Sequence, residues 1–257
     1  MSVTDRRGWL KVAGASMAGL WLTACDKFAT DPKTLKVLGK AEDLTRRVQR
    51  AVIDRKALAR EFTAADISPD FRANGSISPS DEDYRAHLAA GFADYRLVID
   101  GLVDKPLSLS LADLRAQPSR TQITRHDCVE GWSSIGKWTG ARLGPLLDQA
   151  GLKKNARYVV FHCADTLEQT LDGSGQYYES IDLIDAYHPQ TILAYAMNDK
   201  VLPVAHGAPL RLRVERQLGY KQAKYVMRLE VVEDFTHLGR GSGGFWEDRG
   251  YEWYAGI

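Results

Sequence analysis

One thiol, Cys128, stands within residues 125–133, a run of charged, aromatic and glycine residues. A cysteine used for chemistry needs neighbours that stabilise its thiolate, and Arg125 and His126 are of the types that do so. A thiolate is also a natural ligand for a soft or high-valent metal. The alternative, which these residues alone leave open, is an inert cysteine packed in the core next to a loop.

Three further segments carry polar residues that bear on Cys128: residues 161–165, 206–211 and 219–225. The last two bring Arg211, Lys221 and Lys224 near a glycine-containing turn. Backbone N–H groups and cationic side chains together bind phosphate, so this pattern indicates a phosphate site. A thiolate and a phosphate site together suit a metal cofactor that is carried on a phosphorylated organic ligand.

Two other interpretations of the same side chains remain open. His126, Cys128, His162 and Cys163 offer four nitrogen and sulfur ligands for zinc, although their spacing matches no specific zinc pattern. Cys128 and Cys163 are also candidates for a disulfide, which requires Cα atoms within about 7 Å of each other. A metal-binding Cys128 excludes that disulfide because its sulfur cannot serve both purposes.

Short strands and helices must position these residues. Strand patterns occur at residues 95–103, with a turn near Asp100-Gly101, and at residues 122–124, 158–163, 210–214 and 225–232. Helix patterns occur at residues 84–92, after Ser110 with Asp113 as capping partner, at residues 143–150 before Gly151, and at residues 181–186. The chain lacks regular βαβ alternation and a Gly-x-Gly-x-x-Gly motif, which predicts an α+β fold rather than a dinucleotide-binding fold.

The first 25 residues are predicted to be an export signal. Arg6-Arg7 resembles a twin-arginine signal. The apolar run that follows has about 11 residues, fewer than the ~20 of a membrane span. Residues 22–25 resemble a lipobox, in which Cys25 carries the lipid that anchors the protein on the periplasmic side of the cell membrane. The alternative is an ordinary signal peptide or an uncleaved anchor, with Cys25 incidental.

Residues 26–92 are predicted to be a tether followed by a helical and loop extension, and residues 93–257 the main domain. Within the extension, residues 35–62 follow the pattern of a basic amphipathic helix. Such a helix lies on an anionic membrane surface or packs on its own domain. The formal net charge of +1 gives no sign of nucleic-acid binding.

The motifs taken in order resemble the sulfite oxidase fold family of molybdenum enzymes. They are Cys-Val-Glu-Gly-Trp-Ser with Lys-Trp-Thr-Gly after it, His-Gly-x-Pro-Leu-Arg, and Gly-x-Lys-x-x-Lys. Within that family the chain is most similar to the bacterial periplasmic branch that includes the protein-methionine-sulfoxide reductase catalytic subunit. The resemblance covers residues 93–256, and it implies a sulfite-oxidase-type fold and a molybdenum–molybdopterin cofactor.

The resemblance also implies roles for individual residues. Cys128 matches the cysteine whose thiolate binds molybdenum, and Glu130 matches an acid near the metal that assists it or moves protons. The residues that it assigns to the pterin and its phosphate are Asn74, Cys163, His206, Arg211, Lys221 and Lys224.

The chain departs from the sulfite oxidases beside Cys128. Those enzymes follow their cysteine with an Asn-Arg-Arg run that binds the anion, whereas here Val129-Glu130-Gly131-Trp132 places an acid near the metal and disfavours sulfite. The expected reaction is oxygen-atom transfer to or from a small S-oxide, N-oxide or sulfite-like compound, or a protein methionine sulfoxide. The alternative is a binding lipoprotein that keeps the fold without the cofactor.

Electrons for such a reaction need a route. The chain has no Cys-x-x-Cys-His motif for c-type haem and no cysteine cluster for an iron–sulfur centre. The expected electron partner is therefore a separate protein, either a haem-containing membrane protein or a small soluble cytochrome.

Overall fold

The computed structural model describes residues 31–171 and 173–257. The predicted signal, including Cys25, lies outside the described residues. The chain divides into two compact units, residues 1–53 and residues 54–257. Every residue proposed for the site belongs to the second unit, which begins at residue 54 rather than at the predicted boundary of residue 93.

The described part of the first unit contains helix α1 (Pro32–Val52). Asp31 caps its first turn by accepting a hydrogen bond from the Thr34 backbone N–H (3.1 Å). The helix ends ten residues before the predicted end at residue 62. Across the described part of the chain, no helix combines the length and the apolar composition of a membrane span.

Tertiary hydrogen bonds explain why residues 54–62 are not helical. The Gln190 side chain accepts from the Ala59 N–H (2.7 Å) and donates to the Ala59 carbonyl (3.0 Å). Phe62 donates its N–H to the Ile123 carbonyl (2.9 Å). These backbone groups are satisfied by the main domain instead of by a helix, so this segment is part of the domain.

Among the described residues of the second unit, ten strands form two five-stranded sheets, of which the first is mixed and the second is antiparallel. The first sheet contains β1 (Arg96–Gly101), β2 (Leu107–Ser110), β5 (Tyr158–Thr166), β6 (Gln176–Asp182) and β10 (Val226–Val232). The second contains β3 (Ser119–Asp127), β4 (Ser133–Arg142), β7 (Ile192–Met197), β8 (Lys200–Val201) and β9 (Arg211–Arg213). The strand orders are β2-β1-β10-β5-β6 and β3-β4-β7-β8, with β9 also paired to β7. Only the β1–β10 pair is parallel among these described strands.

Helix α2 (Glu82–Ala89) precedes β1, and short helices between strands are α3 (Leu111–Arg115), α4 (Leu143–Ala150) and α5 (Leu183–Ala186). The predicted Ser110–Asp113 capping box and the helix that ends before Gly151 are confirmed. The predicted hairpin at residues 95–103 is wrong. Residues 96–101 form one strand, and the chain turns only after it to reach β2.

One hydrophobic core takes side chains from both sheets and from α4. Leu97 and Ile99 alternate with more exposed residues along β1, as expected for a strand with one buried face. Leu143 and Leu147 bury one face of α4 against the same core. The α+β prediction is confirmed, and the two sheets provide the frame from which the site's loops extend.

Candidate active site

Cys128 lies at the tip of the β3–β4 hairpin, directly after the Asp127–Ser133 pair that closes the ladder. Its N–H donates to the Trp132 carbonyl (2.9 Å), and its carbonyl accepts from the Gly131 N–H (3.0 Å). Gly131 has φ of +86°, a backbone conformation that favours glycine. The five-residue loop is therefore fixed by its own backbone, and it holds a thiol that is only 8% exposed.

Asn74 approaches the thiol from a different part of the chain. Its Nδ2 donates to Cys128 Sγ at 3.4 Å. Phe71 anchors this segment because its ring packs edge-on against Trp138 and His206, with ring centroids 5.3 and 5.6 Å apart. The resemblance assigned Asn74 to the cofactor, and the fold brings it to the cysteine.

Cys128 lines an open cavity whose empty space, including the solvent at its mouth, is about 830 Å³. The walls come from the hairpin tip, residues 74–76, the end of β5, residues 219–224 and the C-terminal segment near Trp246. Of the residues proposed from the sequence, the cavity is lined by Asn74, Cys128, Glu130, Arg211 and Lys224. Cys163, His206 and Lys221 are not among its lining residues.

Arg211 is a buried cation with unused donor capacity. Its Nη1 donates to the His206 carbonyl (3.3 Å), but its Nε has no hydrogen-bond partner in the part of the chain that the structure describes. Burial and the nearby Arg213 lower the pKa of the guanidinium to about 9. An anionic ligand in the cavity would accept a hydrogen bond from the unpaired Nε and would stabilise the buried positive charge.

Lys224 is the second cation of the cavity. Its Nζ donates to the carbonyls of Asn74 (2.8 Å), Ala205 (3.2 Å) and Ser76. These bonds favour the ammonium form, but burial and Arg211 outweigh them and lower the pKa of Lys224 to about 7. Lys224 therefore joins the Asn74 segment to the residue 205–211 segment and adds a cation that an anion would stabilise.

Asp165 belongs to the segment 161–165 that the sequence associated with Cys128, but no role was assigned to it. It lies near the end of β5, is 3% exposed, and its Oδ1 has no hydrogen-bond partner among the described residues. Burial raises the pKa of its carboxyl to about 6, an effect that Lys224 partly opposes. The sequence feature that could have identified it is an acidic residue at the end of the mostly apolar strand pattern that begins at residue 158.

His126 does not stabilise the thiolate as a cation. It is buried in the cavity wall, and burial together with Arg211 and Arg213 lowers its pKa well below the usual value. Arg213 Nη1 lies 3.3 Å from His126 Nδ1, a contact that suits a neutral imidazole. Arg125 is paired with Asp127 at 2.8 Å. The expectation that Arg125 and His126 activate Cys128 is therefore wrong.

Lys221 is not available to the cofactor. Its side chain is fully buried, and its ammonium pairs with the carboxylates of Glu179 on β6 and Glu247 in the C-terminal segment. Both carboxylates raise the pKa of Lys221 against the opposing effect of burial. The assignment of Lys221 to the pterin phosphate is corrected on this geometry.

Cys163 and His206 both lie outside the lining of the cavity. Cys163 packs in the hydrophobic core with its Sγ 3.7 Å from the Phe161 carbonyl, and burial raises the pKa of its thiol. The His206 ring packs against Phe71, and burial lowers its pKa to about 4. The His206 carbonyl orients Arg211, and its ring Nδ1 is buried without a hydrogen-bond partner among the described residues. The proposed contact of His206 with the pterin therefore stays a prediction.

Neither alternative for the cysteines is supported. Cys128 and Cys163 are both free thiols, so the disulfide is excluded. Among the described residues, no three His, Cys, Asp or Glu side chains converge as metal ligands, so the four zinc candidates do not come together. His162 instead pairs with Glu230 at 2.8 Å.

Comparison with known protein families decides the identity of the site. The family model of the oxidoreductase molybdopterin binding domain matches residues 86–237. The chain belongs to this family. It is a molybdopterin-dependent oxidoreductase of the sulfite oxidase fold, and its cofactor is molybdenum–molybdopterin. The resemblance inferred from the motifs is thus confirmed.

Similar proteins extend the comparison beyond the matched domain. A protein from Azospira oryzae that carries the name protein-methionine-sulfoxide reductase subunit YedZ1 is 38% identical over 81% of this chain and 72% of its own length. The protein-methionine-sulfoxide reductase catalytic subunit MsrP of Campylobacter jejuni is 29% identical over 72% of this chain and 70% of its own. A crystal structure of the sulfane dehydrogenase SoxCD from Paracoccus pantotrophus gives a TM-score of 0.49 with 26% identity, covering 55% of this chain and 39% of that one.

The donor set of the cavity fits molybdopterin. The cofactor is an anionic, phosphorylated organic group, and Arg211 and Lys224 are the buried cations that would hold its phosphate. The unpartnered oxygen of Asp165 accepts hydrogen bonds and so suits an N–H donor of the pterin. When bound, the cofactor supplies two-electron redox chemistry at molybdenum. Arg211, Lys224 and Asp165 would bind and orient it in the cavity.

Proposed function

We propose that this oxidoreductase reduces methionine sulfoxide, either as a residue in a protein or as a small molecule. One sulfoxide takes up two electrons and two protons and gives one thioether and one water. The observation that carries the proposal is the shared cavity, in which the nearly buried Cys128 thiol, contacted by Asn74 Nδ2 at 3.4 Å, lies beside two buried cations. Two relatives named as methionine-sulfoxide reductase proteins support the substrate class.

In this proposal the Cys128 thiolate is the protein ligand of molybdenum. A thiolate is soft and electron-rich, which suits a metal that changes oxidation state. The hairpin loop supports the role because its internal hydrogen bonds fix the position of the sulfur before the metal arrives. Asn74 donates to that sulfur and limits its orientation.

Glu130 is proposed to deliver the protons of the reaction. Its carboxylate lines the cavity next to Cys128 and accepts a hydrogen bond from Trp132 Nε1 at 3.1 Å. The side chain is exposed, so it can exchange protons with solvent while one oxygen is held. Its negative charge also disfavours an anion such as sulfite and leaves a neutral sulfoxide as the better substrate.

The proposed setting is the periplasmic side of the cell membrane, with a lipid on Cys25 as the anchor. This proposal rests on the sequence pattern of the first 25 residues. The two electrons are proposed to come from a haem-containing membrane protein or a small soluble cytochrome. A lipid anchor would keep the enzyme and a membrane partner on one surface and raise their effective concentration.

A dye-linked assay tests the function. Purified protein with a reduced dye as donor is expected to oxidise two electrons' worth of dye for each methionine sulfoxide that it converts to methionine. Cys128→Ser is expected to abolish this turnover while the protein stays folded, because a hydroxyl is a harder and less electron-rich ligand. Cys163→Ser is the matched control, since that thiol packs in the hydrophobic core and does not line the cavity.

Metal analysis separates this proposal from the alternative of a binding lipoprotein without cofactor. Wild-type protein and Cys163→Ser are expected to contain molybdenum. Full turnover by folded Cys128→Ser would exclude Cys128 as the ligand. Wild-type protein with molybdenum that leaves every sulfoxide unreduced would exclude the proposed substrate class.

A further inference from the structure

Three aromatic side chains form one side of the cavity, and none of the roles described above uses them. Tyr220, Trp246 and Tyr251 all line the cavity together with Cys128 and Glu130, and we call these three residues the aromatic wall. Trp246 and Tyr251 stack with ring centroids 5.2 Å apart and planes at 28°. Tyr220 meets Tyr251 edge-on, also at 5.2 Å. The wall is thus a continuous aromatic surface built from two distant parts of the chain.

Hydrogen bonds orient the individual rings of the aromatic wall. The Tyr220 hydroxyl donates to the Glu252 carbonyl (2.6 Å), which ties its polar end outside the stack and leaves the ring for the cavity. The Tyr220 carbonyl accepts from the Tyr177 hydroxyl. The Tyr251 N–H donates to the Trp246 carbonyl (3.0 Å), so the two stacked rings share one backbone turn.

The buried ion pairs of Lys221 fasten the two parts of the aromatic wall together. Lys221 is the neighbour of Tyr220 in the chain, and its partner Glu247 is the neighbour of Trp246. The second partner, Glu179, lies on β6 and anchors the pair to the first sheet. All three side chains are almost completely inaccessible to solvent. A buried charge cluster of this kind is costly to break because any member left alone is an uncompensated buried charge. The wall is therefore a fixed surface and not a chance collection of tail residues.

We propose that the aromatic wall is the subsite that binds the side chain of a methionine sulfoxide residue beside the cofactor. The assignment rests on the proposed function and names the feature that selects its substrate. The methyl and methylene groups of that side chain are apolar and pack favourably on aromatic rings. In the thioether product the sulfur also makes favourable contacts with aromatic rings at about 5 Å. The wall lies in the same cavity as the proposed metal ligand Cys128, while the cations Arg211 and Lys224 serve the anionic cofactor. A neutral side chain with apolar carbon groups packs favourably on the wall, whereas a small inorganic anion makes no favourable contact with aromatic rings.

The test compares two sulfoxides in the dye-linked assay with the intact holoenzyme. N-acetylmethionine sulfoxide has the complete side chain of the residue. Dimethyl sulfoxide has the same S=O group but lacks the rest of the side chain. Trp246→Ala is expected to raise the KM for N-acetylmethionine sulfoxide on the order of tenfold, with kcat within about twofold. The KM for dimethyl sulfoxide is expected to change by less than about threefold, since that molecule touches less of the wall. Trp246→Phe keeps a ring and is expected to recover most of the loss.

Tyr187→Ala is the control, because Tyr187 is an exposed aromatic residue that does not line the cavity. Molybdenum content is measured for every variant and is expected to equal that of the wild type. An unchanged KM in Trp246→Ala, or an equal rise for both sulfoxides, would overturn the subsite. Loss of molybdenum in that variant would assign the wall to the cofactor instead. A wild-type holoenzyme that reduces neither sulfoxide would reject the proposed function itself, and the subsite with it.

Discussion

The two lysines near the site, Lys221 and Lys224, differ in what surrounds their charge. Lys221 has two carboxylates as partners, whereas Lys224 has three carbonyl oxygens and the unfavourable neighbour Arg211. The pKa of Lys221 is raised and that of Lys224 is lowered to about 7. Of the two lysines, only Lys224 lacks a carboxylate partner among the described residues, so an anion bound nearby would stabilise its charge. The lowered pKa of Lys224 also affects the free energy of unfolding.

Lys224 is expected to make the cofactor-free protein more stable as the pH rises from about 7 towards about 10.5. Its pKa is about 7 in the folded chain and 10.5 without the fold, so in this window the unfolded chain binds more protons. The free energy of unfolding then increases with pH, by at most about 1.4 kcal/mol per pH unit for one proton. Chemical unfolding of cofactor-free wild type and Lys224→Met across this range measures the difference, and Lys224→Met should lack the contribution. Equal pH dependence in both proteins would show that Lys224 keeps an ordinary pKa.

At the residue scale the sequence predicted one part of the site and missed another. Asn74, Cys128, Glu130, Arg211 and Lys224 were named from motifs and line one cavity. Lys221 was misassigned because its partners Glu179 and Glu247 lie far away in the sequence, and no local pattern marks a charge as paired. Asp165 received no role although its segment, residues 161–165, was associated with Cys128, since a single acid at a strand end looks like an ordinary surface residue.

At the scale of elements, the Gly219–Lys221 turn and the strand β9 serve different halves of the cavity. The turn carries Tyr220 and Lys221 and holds the C-terminal segment, while β9 begins with Arg211. Gly219 allows the turn to lie against β3, because a Cβ at this position would come within 2.5 Å of the His126 ring. A substitution in the turn should therefore disturb the aromatic wall, and one in the cation set should disturb the cofactor.

Molybdenum content should distinguish the two lysines. Lys224→Met is expected to lower it by removing a charge-assisted contact worth about 1.5–3 kcal/mol. Lys221→Met leaves Glu179 and Glu247 buried without a cation, which endangers the fold. The variant for comparison is therefore the neutral triple change Lys221→Met, Glu179→Gln, Glu247→Gln, which is expected to keep its molybdenum if it folds. Metal analysis and circular dichroism of both proteins check this. If the triple variant folds but contains no molybdenum, Lys221 contributes to cofactor binding after all.

Some elements were predictable and others were not, for physical reasons. The capped helix α3 and the helix α4 carry local signals, a Ser110–Asp113 box and a terminal Gly151, and both form as predicted. Strand β4 was missed because its two glycines and its polar residues break the alternation of a half-buried strand. Strand β7 is a short apolar run, a pattern that strands and buried helices share.

At the scale of the whole molecule, the compact unit that begins at Asp54 contains every residue of the site. The segment before residue 93 contributes Asn74 beside Cys128 and Phe71 in a small core with Trp138. The sequence could not predict this boundary because residues 67–83 have a loop composition, and their order comes from tertiary contacts. Lys224 supplies part of that order by binding the carbonyls of residues 74 and 76.

Shortened chains should reveal the boundary. A chain that starts at residue 54 is expected to fold and to bind molybdopterin, because it keeps the whole compact unit. A chain that starts at residue 93 is expected to lose the cofactor and several kcal/mol of stability, since Phe71 and Tyr84 leave large gaps in the packing. Thermal unfolding and metal analysis of both chains measure the outcome. Equal stability of the two would place the true boundary at residue 93.

The positions of the aromatic wall and the Asn74 segment in the sequence determine when the cavity can form during protein synthesis. Residues that line one cavity run from Asn74 near the start of the compact unit to Tyr251 in the C-terminal segment. While the chain still emerges from the ribosome, the cations of the cavity exist but the Trp246–Tyr251 side is absent. Synthesis must therefore pass Tyr251 before every wall of the molybdopterin pocket can be in place.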